Sequence, residues 1–237
     1  MVDVTPADDL NALLAAAASG DIFQLADGTY MLSEPLAITT GVTLRANHTG
    51  KAVLDGQHKA RAILYISGTG GKEVAVAGLN ITGASGGGGV YINGATATFD
   101  HCSIYGNSAD VVGGGFASFN GTVTFTSCDL HDNEAGGAGG GGRVFQGTVQ
   151  FNHCNIHSNA AKYGAGVFIN DAAASFHSCN VHHNTATAAG GGLDKYTSKG
   201  TITLDQATGV HDNLPARNDC AGFADPACGR LPTPPLW

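Results

Sequence analysis

Val123 to Gly142 reads VTFTSCDLHDNEAGGAGGGG, and the chain says nearly the same thing three more times. Residues 97–109 read ATFDHCSIYGNSA, residues 149–161 VQFNHCNIHSNAA and residues 174–186 ASFHSCNVHHNTA, each followed by a glycine-rich run. The phenylalanines Phe99, Phe125, Phe151 and Phe176, the cysteines Cys102, Cys128, Cys154 and Cys179, and the asparagines Asn107, Asn133, Asn159 and Asn184 all advance in steps of 26, 26 and 25 residues. A fixed period of this size means a stack of like supersecondary units. Within a period, Thr124-Phe125-Thr126 and Gln150-Phe151-Asn152 alternate polar and apolar, as a half-buried strand does. Cys128 and Leu130 continue the inward set, with Asp129 and His131 outward. A third short strand follows the glycines: Val90-Tyr91-Ile92, Phe116 to Phe119, Val144-Phe145, Val167-Phe168-Ile169. No part of the period has helical spacing, which disfavours a horseshoe with helices on its back. The expectation is an all-β chain: a single parallel β-helix of about eight coils, three short strands each, with successive coils ~4.8 Å apart.

The segment Cys128-Asp129-Leu130-His131-Asp132-Asn133-Glu134-Ala135, followed by Gly139 to Gly142, carries a resemblance. It is similar to the coils of the right-handed parallel β-helix, or pectin-lyase-like, superfamily, and to repeats of polymorphic outer-membrane-type surface proteins. The resemblance spans about residues 22–213. It implies the fold, but not an activity, because that fold hosts lyases, hydrolases, epimerases, adhesins and inert stalks.

The ends differ from the repeat. Thr5-Pro6-Ala7-Asp8 reads as a helix start, with Leu10, Leu13, Leu14 and Ala17 on one face and Gly20 ending it. Residues 1–20 are therefore expected to be a helical cap over the first coil, 21–213 the β-helix, and 214–237 an irregular C-terminal cap. Pro215, Pro226, Pro232, Pro234 and Pro235 cannot continue a central strand. Cys220 and Cys228, with seven residues between them, are expected to form a disulfide there and to point to an oxidising compartment.

Composition narrows the function classes. The chain has 237 residues, 36 glycines without a collagen period, and 43% hydrophobic residues, so it is neither fibrous nor disordered. A net charge of −8 with only 11 Lys and Arg argues against a nucleic-acid partner. No apolar run approaches the ~18 residues of a membrane span. The N-terminus lacks the charged and apolar regions of a signal peptide. Secretion or surface display is the expectation, with a leader absent from this sequence.

In a β-helix each repeat position becomes a column. The asparagine column suits a ladder of stacked amides at a bend, and the cysteine column a packed set of thiols rather than a metal site, since a straight column does not converge on one point. One outward column reads Tyr105, His131, His157, His182, His211, beside Asp129. Stacked rings next to a carboxylate and amides are the candidate ligand-binding stripe, for a sugar chain, a planar ligand or a divalent metal. A solvated strand face is the plain alternative. A second outward face mixes threonine with other polar residues, which disfavours ice binding. Arg143, Lys162, Tyr163, Asp194, Lys195 and Tyr196 follow the glycine runs of successive coils. The resemblance implies that, were the chain a polysaccharide lyase, Arg143, Lys162, Tyr163, Lys195 and Tyr196 would be the candidates for its base and electrophile, with Ca²⁺ to neutralise a uronate. No family catalytic signature accompanies them. The reading is therefore a surface or extracellular module that binds a polysaccharide or protein partner without catalysis and without a resident cofactor. The alternatives are a small polysaccharide lyase or epimerase, and an accessory structural subunit.

Overall fold

The structure, a computed structural model, describes residues 1–197, 199–215 and 219–223. One coil shows how the sequence makes the others. In Thr122–Thr126, Val123 and Phe125 point inward and the threonines outward. Ser127, at φ 52°, turns the chain. Asp129–His131 follows with Leu130 inward, and Asp132, at φ 53°, makes a second bend. Glu134–Ala138 and then Gly142–Phe145 complete the turn. The same left-handed bends recur at His101, His153 and Ser178, and at Ser158, His183 and Asp212. Small polar and histidine side chains tolerate this backbone better than branched apolar ones.

Each strand pairs in parallel with its equivalent in the next coil, so the three long sheets hold nine, eight and eight strands. They are called here the first sheet (containing Thr122–Thr126), the second (Asp129–His131) and the third (Gly142–Phe145). The chain is the expected single all-β parallel solenoid, of about seven turns. A short fourth sheet, not expected from the sequence, runs through Ser85–Gly86, Ser108–Ala109, Glu134–Ala138, Ala160–Tyr163 and Thr185–Ala189. Its inward residues are only alanines, Ala109, Ala135, Ala161 and Ala186, packed with Ala165 in a cluster of their own. Alanine and glycine carry almost no strand signal, which is why this sheet was illegible.

The columns of the core are stacks. Phe99, Phe125, Phe151 and Phe176 lie with ring centroids 5.0, 5.1 and 4.8 Å apart. Cys102, Cys128, Cys154 and Cys179 are free and buried, and each thiol donates to carbonyls of its own and an adjacent coil. Contact with the neighbouring thiols, Cys102 and Cys154 for Cys128 and Cys154 for Cys179, followed by burial, pushes the thiols of Cys128 and Cys179 up. Asn107, Asn133, Asn159, Asn184 and Asn213 form the expected ladder, each side-chain oxygen accepting from the preceding asparagine, at 2.9–3.1 Å between the amide groups.

The N-terminal lid differs from its reading. The helix is only Leu10–Ala15 and is capped by Asp9, whose side chain accepts from Ala12 N at 3.0 Å. Thr5 and Asp8 instead close a turn before it, Asp8 Oδ2 accepting from Thr5 N and Oγ1 at 2.7 Å. Ahead of both, Val2–Val4 adds a strand to Ile22–Leu25. The alternation Val2-Asp3-Val4 satisfies the otherwise open edge of the first sheet. At the far end the third sheet continues to Cys220–Ala221, past residue 213. The expected Cys220–Cys228 bond involves Cys228, which lies outside the described residues.

Candidate functional site

Two outward columns could meet a ligand. The first is the stripe on the second sheet. Register pairs Tyr105, His131, His157, His182 and His211 in succession, as expected. Their rings stack at 5.1, 5.1, 5.2 and 5.6 Å with interplanar angles of 2°, 2°, 11° and 6°. Each Nε2 reaches back one coil. His131 meets Ser103 Oγ at 3.3 Å, His182 meets Asn155 Oδ1 at 2.9 Å and His211 meets Asn180 Oδ1 at 2.8 Å. His157 Nε2 lies 3.1 Å from Asp129 Oδ1, within ion-pair range but out of line for a hydrogen bond. Each Nδ1 turns to the next residue: Asp132, Ser158, His183 and Asp212. Burial, followed by the neighbouring His157, His183 and His211, pushes the pKa of His182 down to about 4. The stripe thus exists, but its faces cover one another and most of its ring nitrogens are partnered by neighbouring side chains. It staples coils together.

The second column set is on the third sheet, where the strand alternation turns large aromatic side chains outward. Tyr65 and Tyr91 stack at 5.1 Å and 3°. Beyond them the rings splay: Tyr91 to Phe119 at 5.3 Å and 32°, Phe119 to Phe145 at 6.1 Å and 56°, and Phe168 to Tyr196 at 5.7 Å and 36°. Splayed rings leave faces and edges open where parallel ones do not. Tyr65 is 39% and Tyr196 70% exposed. Arg143 lies among them, its Cζ 5.4 Å from the Phe119 centroid and 5.5 Å from that of Phe145, a cation–π geometry. Its Nε is buried without a hydrogen-bond partner, and burial lowers its pKa. Every ion pair among the described residues joins a histidine to an aspartate, so this guanidinium faces outward uncompensated.

The structure does not gather the candidates for lyase chemistry. Arg143 is in register with Ala117 and Phe168 on the third sheet, and Asp194 follows Phe168. Lys162 and Tyr163 sit on the fourth sheet, with Lys162 Nζ 5.4 Å from the Tyr163 ring. Lys195 and Tyr196 lie at the end of the third-sheet strand two coils beyond Arg143, Lys195 paired with Ile169. Asp194 is nearly buried and its carboxyl is pushed up by that burial. Among the described residues no three His, Cys, Asp or Glu side chains converge as a metal site requires, so a Ca²⁺ of the lyase type finds no acidic cluster to hold it. The aromatic strip was missed in the sequence. Its signal was present: Tyr65, Tyr91, Phe119 and Phe145 fall on the outward phases of their strands, Tyr65 exposed and the other three half-buried.

A family model described as a right-handed β-helix region matches residues 33–208. This chain belongs to that β-helix family. Among solved structures the β-helix is similar to pectate lyase Pel9A, at 16% identity and a TM-score of 0.65, over 93% of this chain and 66% of the lyase. It is also similar to the pectin methylesterase of Aspergillus niger, at 12% identity and a TM-score of 0.52, over 95% of this chain and 90% of the esterase. At these identities the likeness is one of fold. The β-helix spans just under two thirds of the lyase. No curated protein sequence matches it. No helix among the described residues is long and apolar enough to cross a membrane.

Proposed function

We propose that this β-helix is a non-catalytic module, secreted or displayed at a cell surface, that binds a glycan chain along its third sheet. The observation that carries the reading is the splayed outward strip Tyr65, Tyr91, Phe119 and Phe145 with the unpaired Arg143 guanidinium between two of its rings. Sugar rings present apolar C–H faces and a hydroxyl rim, and an aromatic row beside a hydrogen-bond fork suits both. Two of the neighbours by fold are named for enzymes of pectin and pectate, which agrees with a carbohydrate partner. The absence of catalysis is supported by geometry. The candidate bases are spread over two sheets, and no carboxylate faces Arg143.

The test is a glycan array followed by titration calorimetry on wild type and a Tyr65→Ala/Phe145→Ala double variant, with ultraviolet detection of unsaturated products on pectate and alginate in the presence of Ca²⁺. Binding weakened at least about tenfold in the double variant, a loss of ~1.4 kcal/mol, with no product formed, is the expected result. Undiminished binding in the double variant would refute the site. Product formation lost in Arg143→Ala or Lys195→Ala would establish a lyase instead.

A further inference from the structure

The outward column nearest the fourth sheet reads, coil by coil, Tyr65, Tyr91, Ala117, Arg143 and Phe168. Ala117 is the one small residue in this run. The chain at Gly113 packs over it, leaving it 1% exposed, and the space beside that cover is walled. The fourth-sheet region lines it at Gly86 and Gly87 and, in the next coil, at Val111 and Val112. The result is a cavity of about 170 Å³ lined by Arg61, Gly87, Tyr91, Val111, Val112 and Ala117.

The backbone is built to keep this wall close. A Cβ on Gly87 would lie 2.6 Å from the Arg61 carbonyl oxygen, and one on Gly113, at φ +70°, would lie 2.6 Å from Ala117 Cβ. Gly87 also bridges antiparallel to Ala109, against the parallel grain of the rest of the solenoid. Side chains that would fill or displace the wall are therefore excluded at two points around the cavity. Arg61 is exposed and has no carboxylate within ion-pair distance. Val111 is 65% exposed at the edge of the cavity.

We propose that this cavity is a subsite for the terminal sugar of the glycan chain. The inference rests on the glycan-binding reading above and adds to it where the chain ends. The volume is below the ~300 Å³ at which ordinary ligand pockets begin, so it takes one ring and not a run of rings. The lining is two-sided, as a sugar ring is: Tyr91, Val111 and Val112 for its C–H face, and the Arg61 fork to donate to two ring hydroxyl oxygens. A linear chain lying along Phe145 and Phe119 reaches this place two residues along the Phe116–Phe119 strand, roughly 7 Å from Phe119, and the fourth-sheet chain then bars further extension on that side.

The probes are short cello-, xylo-, chito- and galacturono-oligosaccharides and the corresponding long polymers, titrated into wild type, Arg61→Ala and Val111→Trp. Both positions are exposed, so the variants keep the fold. Val111→Trp closes the mouth and Arg61→Ala removes the fork. The expected result is a loss of at least about tenfold for the short, end-rich oligosaccharides. Binding of the long polymer, which has few ends per mass, stays within about twofold in both variants and still depends on Tyr65 and Phe145. Short oligosaccharides that bind both variants like wild type overturn the subsite while leaving the strip intact. Failure of every glycan to bind wild type overturns both readings together.

Discussion

Replacing Asn159 with alanine should destabilise the solenoid by about 3–5 kcal/mol, a magnitude that follows from its four side-chain hydrogen bonds. Asn159 Oδ1 accepts from Asn133 N and Asn133 Nδ2, both at 3.0 Å, and its Nδ2 donates to Leu130 O and Asn184 Oδ1, both at 2.9 Å. The site is 1% exposed, so water cannot substitute. The losses are unequal. Asn133 Nδ2 keeps a bond to Ile104 O, and Asn184 Oδ1 keeps the Asn159 backbone N–H. The Asn133 backbone N–H keeps nothing, and an orphaned buried donor costs about 1–3 kcal/mol, to which about 1 kcal/mol for each shared bond is added. Asn159→Asp should be no better, because it places a charged acceptor against Leu130 O and Asn184 Oδ1. Urea denaturation gives the total. Since a solenoid can open locally, hydrogen exchange at the Asn133 amide gives the local part. A loss below about 1 kcal/mol, with Asn133 exchange unchanged, would show that the ladder is not what holds the bend.

The inward phase is tested by Phe125→Ala, which should cost about 3–5 kcal/mol by opening a hole between Phe99, Phe116 and Phe151, while Thr126→Ala on the outer face costs under about 1 kcal/mol; equal losses in denaturant would reverse the in–out assignment. Stability should also fall as pH drops from about 6.5 toward 4: His182 holds its folded pKa down at about 4, so below 6.5 the unfolded chain takes up a proton that the folded one refuses, and above 7 the effect vanishes. Melting temperatures across that range should drop less in His182→Gln, and parallel curves for the two proteins would refute the assignment. Asp205 and Asp212, whose pKa values are lowered, act only below about 4 and do not overlap this window.

The period, the inward Phe, Cys and Asn columns and the histidine stripe were all legible in the residues, because in a solenoid one sequence position repeats as one column and period-2 alternation assigns its side. Residues 97–186 therefore determined the fold by themselves. What they could not determine was contact between columns. That most of the histidine nitrogens would be partnered depends on diagonals such as that from His182 to Asn155, which spans coils. That Arg143 would lie against Phe119 and Phe145, on another sheet from Lys162 and two coils from Lys195, depends on which sheet each bend feeds and on how the coils stack. The fourth sheet was hidden because alanine and glycine spell no strand, yet it is this sheet that builds the wall beside Ala117. Local alternation is written residue by residue; the pocket exists only where two coils and two sheets meet, a relation set by packing and by glycines that let one backbone lie directly on another.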